Sequence, residues 1–223
     1  VDLIKLWMDD ERKTIPVKMP YSMSKAVIDE AHKKGLKAVA HVFYLADAKE
    51  LVREGIDGFA HMVRDQPVDK ELLDMMKAKG TWMVSSTLSR EMAYSLATMP
   101  WLNDPFFTRG VTPGTIAILK SPARQKAVVL GYTMFPGLPY KKKVFSDMDR
   151  TLFQALENYE TMAQAGINMG MGTDSGPNGR FPGFNAHEEM YLEVLAGRTP
   201  MQAIESATSE NARWLGDKMI GSI

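Results

Sequence analysis

Four times in this chain an amphipathic helical pattern runs into a glycine and is followed at once by a short apolar run. The junctions read DEAHKKGLKAVAHV, AKELVREGIDGFAHMV, LLDMMKAKGTWMVSST and YETMAQAGINMGMGTD. In each, a basic or polar last turn and a glycine (Gly35, Gly55, Gly80, Gly166) suit a helix end with its left-handed cap. The run after the glycine is too short for a helix and fits a strand buried on both faces. Strands joined by helices in this way run parallel, so their carboxyl ends meet on one side of the sheet.

Counting forward from the caps locates the polar residues. His41 lies six residues after Gly35, His61 six after Gly55, Ser86 six after Gly80, and Asp174 eight after Gly166. The chain has only four histidines, and two of them sit in register inside its most apolar segments. One buried histidine is adequately explained as a satisfied core residue. Two in register, joined by an aspartate in register, point to function at the edge where a (β/α)8 barrel carries its active site. VDLIKLWMDD reads as one more strand, with Lys5 in an apolar setting. The expected strands are therefore 2–8, 37–43, 58–63, 81–86 and 167–173. Five strands do not close a barrel, and a parallel sheet tolerates open edges poorly. Either the sheet is open, or about three further βα units lie upstream of Val1; the second is the expectation.

Residues 87–144 form a long excursion between the fourth strand and the helix FSDMDRTLFQALENYETMAQAG. It carries Trp101, Phe106, Phe107, Tyr132, Phe135 and Tyr140, and GTIAILKSPARQKAVVLG within it has helical character. Such an insertion after a barrel strand covers the active face as a selectivity wall, or packs its own aromatics at the surface. The tail TPMQAIESATSENARWLGD reads as two short helices, with Pro200 suited to a first turn. Positive and negative side chains balance at 27 each, so no basic surface points to nucleic acid. The one like-charge run, Lys141 to Lys143, suits a solvated loop. No apolar run reaches the roughly 18–20 residues needed to cross a bilayer. The absence of cysteine excludes disulfides without choosing a compartment.

Histidine and aspartate at one rim are ligands for Zn2+ or a similar divalent ion. Together with DLIKLW, EAHKKGLKAVAHV, GIDGFAHMV, MGTDSG, HEEMYLEVLAGRTPMQAIESAT and NARWLG, these residues resemble the metal-dependent amidohydrolase superfamily. The resemblance is to its imidazolonepropionase-like and prolidase-like (Xaa-Pro dipeptidase) branches. It implies strands four to eight of a (β/α)8 TIM barrel, with residues 1–223 as a partial barrel domain. The paired strand-one histidines of the family and its small β-sandwich are absent from this chain, and KMIGSI resembles the turn back toward that sandwich.

The resemblance further implies His41 and His61 as metal ligands and Asp174 as ligand and general base. Lys5 falls where many relatives carry a carboxylated lysine bridging two metals, so one or two Zn2+ ions are expected. Tyr44 and Arg64, each three residues beyond a ligand histidine, and His187 are candidates for substrate contact. The expected reaction is hydrolysis of an amide, peptide or cyclic amide bond in a small-molecule or dipeptide-like substrate. A homo-oligomer is expected for the full-length form. Two alternatives stay open: Schiff-base chemistry on Lys5, and a catalytically incomplete fragment that binds metal without turnover.

Overall fold

Four short strands lie side by side in chain order, each parallel to the next: β1 (Leu3–Trp7), β2 (Lys37–His41), β3 (Gly58–Ala60) and β4 (Trp82–Ser85). The computed structural model describes residues 1–10, 16–95, 99–126, 150–176 and 179–222. The helices between strands are α1 (Tyr21–Lys33), α2 (Leu45–Glu54) and α3 (Lys70–Lys79). Beyond β4 come α4 (Leu88–Ser95), a 3-10 turn (Pro100–Asn103), α5 (Pro105–Thr108) and α6 (Pro113–Leu119). Then follow α7 (Arg150–Gln164), α8 (Phe184–Leu195), α9 (Pro200–Glu205), a π turn (Ser206–Glu210) and α10 (Asn211–Leu215). The glycine junctions behave as the pattern predicts. Gly55 and Gly80 sit at φ +100° and +67° and donate their N–H groups back into the last turns of α2 and α3.

The alternation of side chains along the strands gives the sheet two apolar faces. On one, Leu6, Met8, Ala38, Ala40, Phe59 and Met83 pack against Ile28, Leu51, Leu72, Met76, Tyr159 and Leu192 from the helices. On the other, Val39 and Ala60 pack with Leu3, Trp82, Val84 and the buried Trp214 of α10. The chain is thus an α/β fold whose parallel sheet is covered by helices on one side and by a returning C-terminal helix on the other.

The strands are shorter than the apolar runs suggest, for local reasons. β3 ends at Ala60 because His61 turns into the left-handed region, φ +70°, and leaves the ladder. The fifth expected strand, 167–173, is reduced to a single parallel bridge between Met83 and Met169. Past that point its backbone is bonded elsewhere. Met171 N–H donates to Ser206 O (3.1 Å) and Asn211 Oδ1 (3.2 Å), and Asn211 Nδ2 donates to Met171 O (2.8 Å). A side-chain amide therefore takes the place of a neighbouring strand.

The excursion after β4 carries a small core of its own, Ala93, Met99, Trp101 and Leu102, against Phe107, Leu119 and Phe181. Trp101 is buried there and its indole N–H donates to Gly179 O (3.3 Å). Tyr132, Phe135, Tyr140 and Lys141 to Lys143 lie outside the described residues. Pro200 opens α9 behind a capping box made by Thr199 and Gln202. Among the described residues no helix is long and apolar enough to cross a membrane.

The sheet face under α10 has no spare room at Gly58. A Cβ there would lie 2.2 Å from Val84 Cγ2 and 3.2 Å from the Trp214 ring. Gly58→Ala is expected to destabilise the fold by about 1–3 kcal/mol through overpacking, read as a lower urea midpoint. A parental midpoint would mean that α10 lifts off this face without loss.

Candidate functional site

His41 ends β2, in ladder register with Trp7 on one side and Ala60 on the other; His61 is the next residue beyond Ala60. Adjacent parallel strands thereby bring two histidines, distant in sequence, to ring centroids 4.2 Å apart in an edge-on arrangement. Both are almost fully buried. The Trp7 indole stacks on His41 at 4.0 Å and 18° between planes. His41 Nε2 lies 3.0 Å from Oδ2 of buried Asp9, and His61 Nδ1 lies 2.7 Å from the Thr87 hydroxyl. His41 Nδ1 is buried without a hydrogen-bond partner among the described residues.

Burial lowers the pKa of His41, against the pull of its Asp9 hydrogen bond, and the Arg64 charge lowers it further. Burial drives His61 well below the usual imidazole range, with His41, Arg90, Arg64 and Lys5 pushing the same way. Both shifts favour the neutral imidazole, the form in which histidine binds metal.

Backbone strain collects at the same edge. Among the described residues, the non-glycine positions with positive φ are His61 (+70°), just past β3, Thr87 (+53°), just past β4, and Asp174 (+49°), in the loop beyond the Met169 bridge. For a β-branched residue such as Thr87 this conformation costs on the order of 1–3 kcal/mol and persists only where surrounding structure imposes it.

The other residues singled out from the sequence are placed as follows. Lys5 pairs with Val39, one pleat below Trp7 and His41 on the same face, and is exposed. Asp174 is 45% exposed, and its Oδ2 lies 3.2 Å from both Arg90 Nε and Arg180 Nη1. Buried Arg180 also donates to the Asp174 carbonyl. Arg90 in turn meets Glu91 at 2.7 Å. The Tyr44 hydroxyl donates to Asp10 Oδ1 (2.8 Å), and burial and that bond raise its pKa. Arg64 is buried: its Nη1 donates to Val42 O (2.9 Å) and Met62 O (2.7 Å), and its Nε lies 3.0 Å from Glu91. His187, exposed on α8, packs edge-on against Phe106 at 5.1 Å. The structure thus unites His41 and His61 and ties Asp174 to arginines. Among the described residues no three His, Asp or Glu side chains converge on a point able to hold a cation.

The amidohydrolase family profile matches residues 13–223. The chain belongs to the amidohydrolase family. No curated protein gives a match. Several solved structures share the fold. A Xaa-Pro dipeptidase with methionine bound in its active site aligns at TM-score 0.62 and 19% identity, over 99% of this chain and 45% of that one. The ochratoxinase of A. niger gives 0.60 and 19%, over 98% and 41%, and molinate hydrolase 0.60 and 17%, over 100% and 44%. The chain thus spans less than half the length of these amidohydrolase-like structures.

Several residues that shape this candidate site carry no clear pattern in the sequence. Asp9 and Thr87 are visible only as polar residues just past apolar runs. The largest omission is Glu189, fully buried on α8. Its carboxylate accepts from Leu88 N (2.8 Å), Ser89 N (2.8 Å), Ser89 Oγ (2.5 Å) and Ser86 Oγ (2.6 Å). It therefore caps the amino end of α4, the helix that carries Arg90 and Glu91. Glu193, one turn on, accepts from Ser206 Oγ (2.5 Å). A signal was present: Asn185, Glu189 and Glu193 recur at four-residue spacing with Leu192 and Ala196 on nearby positions, so polar groups share the apolar face of HEEMYLEV.

Burial pushes the Glu188 carboxyl up to about 8, aided by the Glu189 charge, and pushes Glu193 up to about 7. Between pH ~6.5 and ~8 the folded chain holds protons on these groups that the unfolded chain has released, so stability falls as pH rises. The neutral histidines oppose this only below the free imidazole pKa of about 6.5. Urea unfolding should therefore show stability declining across this window by up to about 1.4 kcal/mol per pH unit for each group. Glu188→Gln should flatten the slope; an unaltered slope in that variant would mean that Glu188 ionises freely in the fold.

Proposed function

We propose that this chain forms the carboxyl-terminal part of the barrel of a metal-dependent hydrolase cleaving an amide, peptide or cyclic amide C–N bond. In this reading β1 to β4 and the bridged segment at Met169 are barrel strands four to eight. Residues 1–223 are one partial domain, and the excursion at 87–144 lies over the active face. The observation that carries the proposal is the meeting of two buried imidazoles at the carboxyl edge of a parallel sheet, one with an orphaned ring nitrogen. A buried nitrogen left unpaired costs about 1–3 kcal/mol, and a ligand removes that cost.

The residues fit a divalent ion of the zinc type in part. His41 and His61 supply the nitrogen donors such an ion favours. Lys5 is close enough for its charge to depress His61. As a carbamate it would offer oxygens in place of a repelling ammonium. Asp174, held by Arg90 and Arg180, is the proposed acid–base group. A bound ion would supply Lewis acidity, making water a nucleophile near neutral pH and polarising the scissile carbonyl. Asp174 would take the proton of the attacking water on its carboxylate and return it to the leaving amine. Arg90 and Arg180 fix the direction of that carboxylate. Tyr44, Arg64 and His187 are proposed to act on the substrate side, Arg64 through the backbone carbonyls of Val42 and Met62 that it holds. The likeness to a Xaa-Pro dipeptidase supports a small, dipeptide-like substrate, and assembly of the full-length protein as a homo-oligomer goes with the same reading.

The full chain purified without chelator should carry one to two divalent ions (about that number, as one closed site or a bridged pair requires) by elemental analysis. His41→Ala and His61→Ala should each lose metal and amidase activity together. Full activity in metal-free protein would overturn the reading.

Asp174→Asn should keep fold and metal while turnover drops by about 10²–10⁴-fold, the range for losing a general acid–base group. A near-parental kcat would remove Asp174 from the chemistry.

A further inference from the structure

A cavity of about 330 Å³ lies apart from the histidines. Its walls are the end of α7 with Glu160 and Gln164, residues 166–169 leading into the sheet, the turn after α8 with Arg198, and Glu210 with Arg213. Trp7, His41, His61, Thr87 and Asp174 take no part in its lining. Its volume falls at the lower end of the range for small-molecule sites, roughly 300–1,000 Å³.

Most polar groups of this lining already have partners. Arg213 Nη2 donates to Asn168 Oδ1 (2.9 Å) and meets Glu210. Gln164 donates to Glu160 Oε1 (2.9 Å). Arg198 is the exception. Its Nε is buried and makes no hydrogen bond, and among the described residues no ion pair or hydrogen bond reaches the rest of its guanidinium. The group lies over the Tyr159 ring at 5.9 Å, the outer limit of a cation–π contact. Burial pushes the Glu193 carboxyl up to about 7, against the pull of the Arg198 charge. Near neutral pH it therefore offsets that charge only in part. The backbone holds the arginine where it is: Gly197 turns at φ +93°, and Arg198 N–H donates to Glu193 O (3.1 Å). An unpaired buried donor is costly to maintain, and an anion removes that cost.

We propose that this cavity binds a small organic carboxylate, held by the fork of the Arg198 guanidinium. The planar guanidinium matches a carboxylate through two parallel N–H···O bonds. Glu160 and Glu210 in the same walls disfavour a ligand of higher negative charge, such as phosphate. Hydrolysis of an amide releases a carboxylate, so the reaction proposed above would itself supply such a ligand; the site does not depend on it.

Titration of the full chain with N-acetylglycine, followed through backbone 1H–15N shifts, tests the site. Gln164, Asn168 and Gly197 should move along one saturable curve, both in chelator-treated protein and in His41→Ala. N-acetylglycinamide, the uncharged analogue, should bind about 10–100-fold more weakly, and Arg198→Gln should weaken binding of the acid by a similar factor. Inorganic phosphate should also bind more weakly than the acid. Ala163→Leu fills the cavity from its wall and leaves Arg198 in place. It should weaken binding too, and it keeps the test sound should the arginine variant fail to fold. Four results would each overturn the proposal: no saturable shift at Asn168 and Gly197, equal binding of acid and amide, tighter binding of phosphate, or parental affinity in the folded variants. Shifts confined to Trp7, His61 and Thr87 would put the carboxylate at the histidine edge and overturn it as well.

Discussion

The parallel ladder that aligns Trp7, His41, Ala60 and Ser85 is the constraint on which the rest of the structure depends. Parallel strands cannot alternate direction, so every carboxyl end emerges on the same side. A one-residue slip in the β2–β3 pairing would send His61 to a different level and put it out of reach of His41. What holds the register is the apolar packing on both faces: the helical layer over Ala40 and Phe59, and Trp214 over Val39 and Ala60. The functional edge is therefore as precise as the core beneath it.

Above that edge, buried polar groups hold the amino end of α4, the loop past His61, and Asp174. Glu189 of α8 caps α4 through two backbone N–H groups and two serine hydroxyls. Asn158 of α7 donates to Val63 O (2.7 Å) and Gln66 O (2.9 Å) and accepts from Val68 N (2.9 Å), fixing the loop just past His61. Arg180 holds Asp174, and Arg90 links Asp174 to Glu91. A carboxylate buried among donors is expensive to remove and cannot shift without breaking several bonds together. Strain at His61, Thr87 and Asp174 is tolerated because this polar layer imposes it.

How much of this was legible in the sequence depends on the range of the interaction. Helix ends marked by Gly55 and Gly80, the parallel order, and the meeting of His41 with His61 follow from local periodicity and from the counting of residues after each cap. The partners of those histidines do not, because Asp9 and Thr87 reach them across strands. The apolar runs overstate strand length where the backbone departs from the ladder. His61 does so by its left-handed φ, and Met171 by pairing with the Asn211 amide. Arg64 reads as a rim residue from its place in a loop, yet its guanidinium lies buried over the Phe43 ring at 4.7 Å. Long-range burial of that kind is set by α4, far along the chain, through Glu91.

In the proposed function, His41 and His61 together offer nitrogens to one metal centre. Zinc-edge X-ray absorption on the full, zinc-loaded chain addresses it most directly. Imidazole scattering from at least two nitrogen donors at about 2.0–2.1 Å is expected, reduced in both His41→Ala and His61→Ala. A first shell made only of oxygen, or one that neither substitution alters, would contradict it.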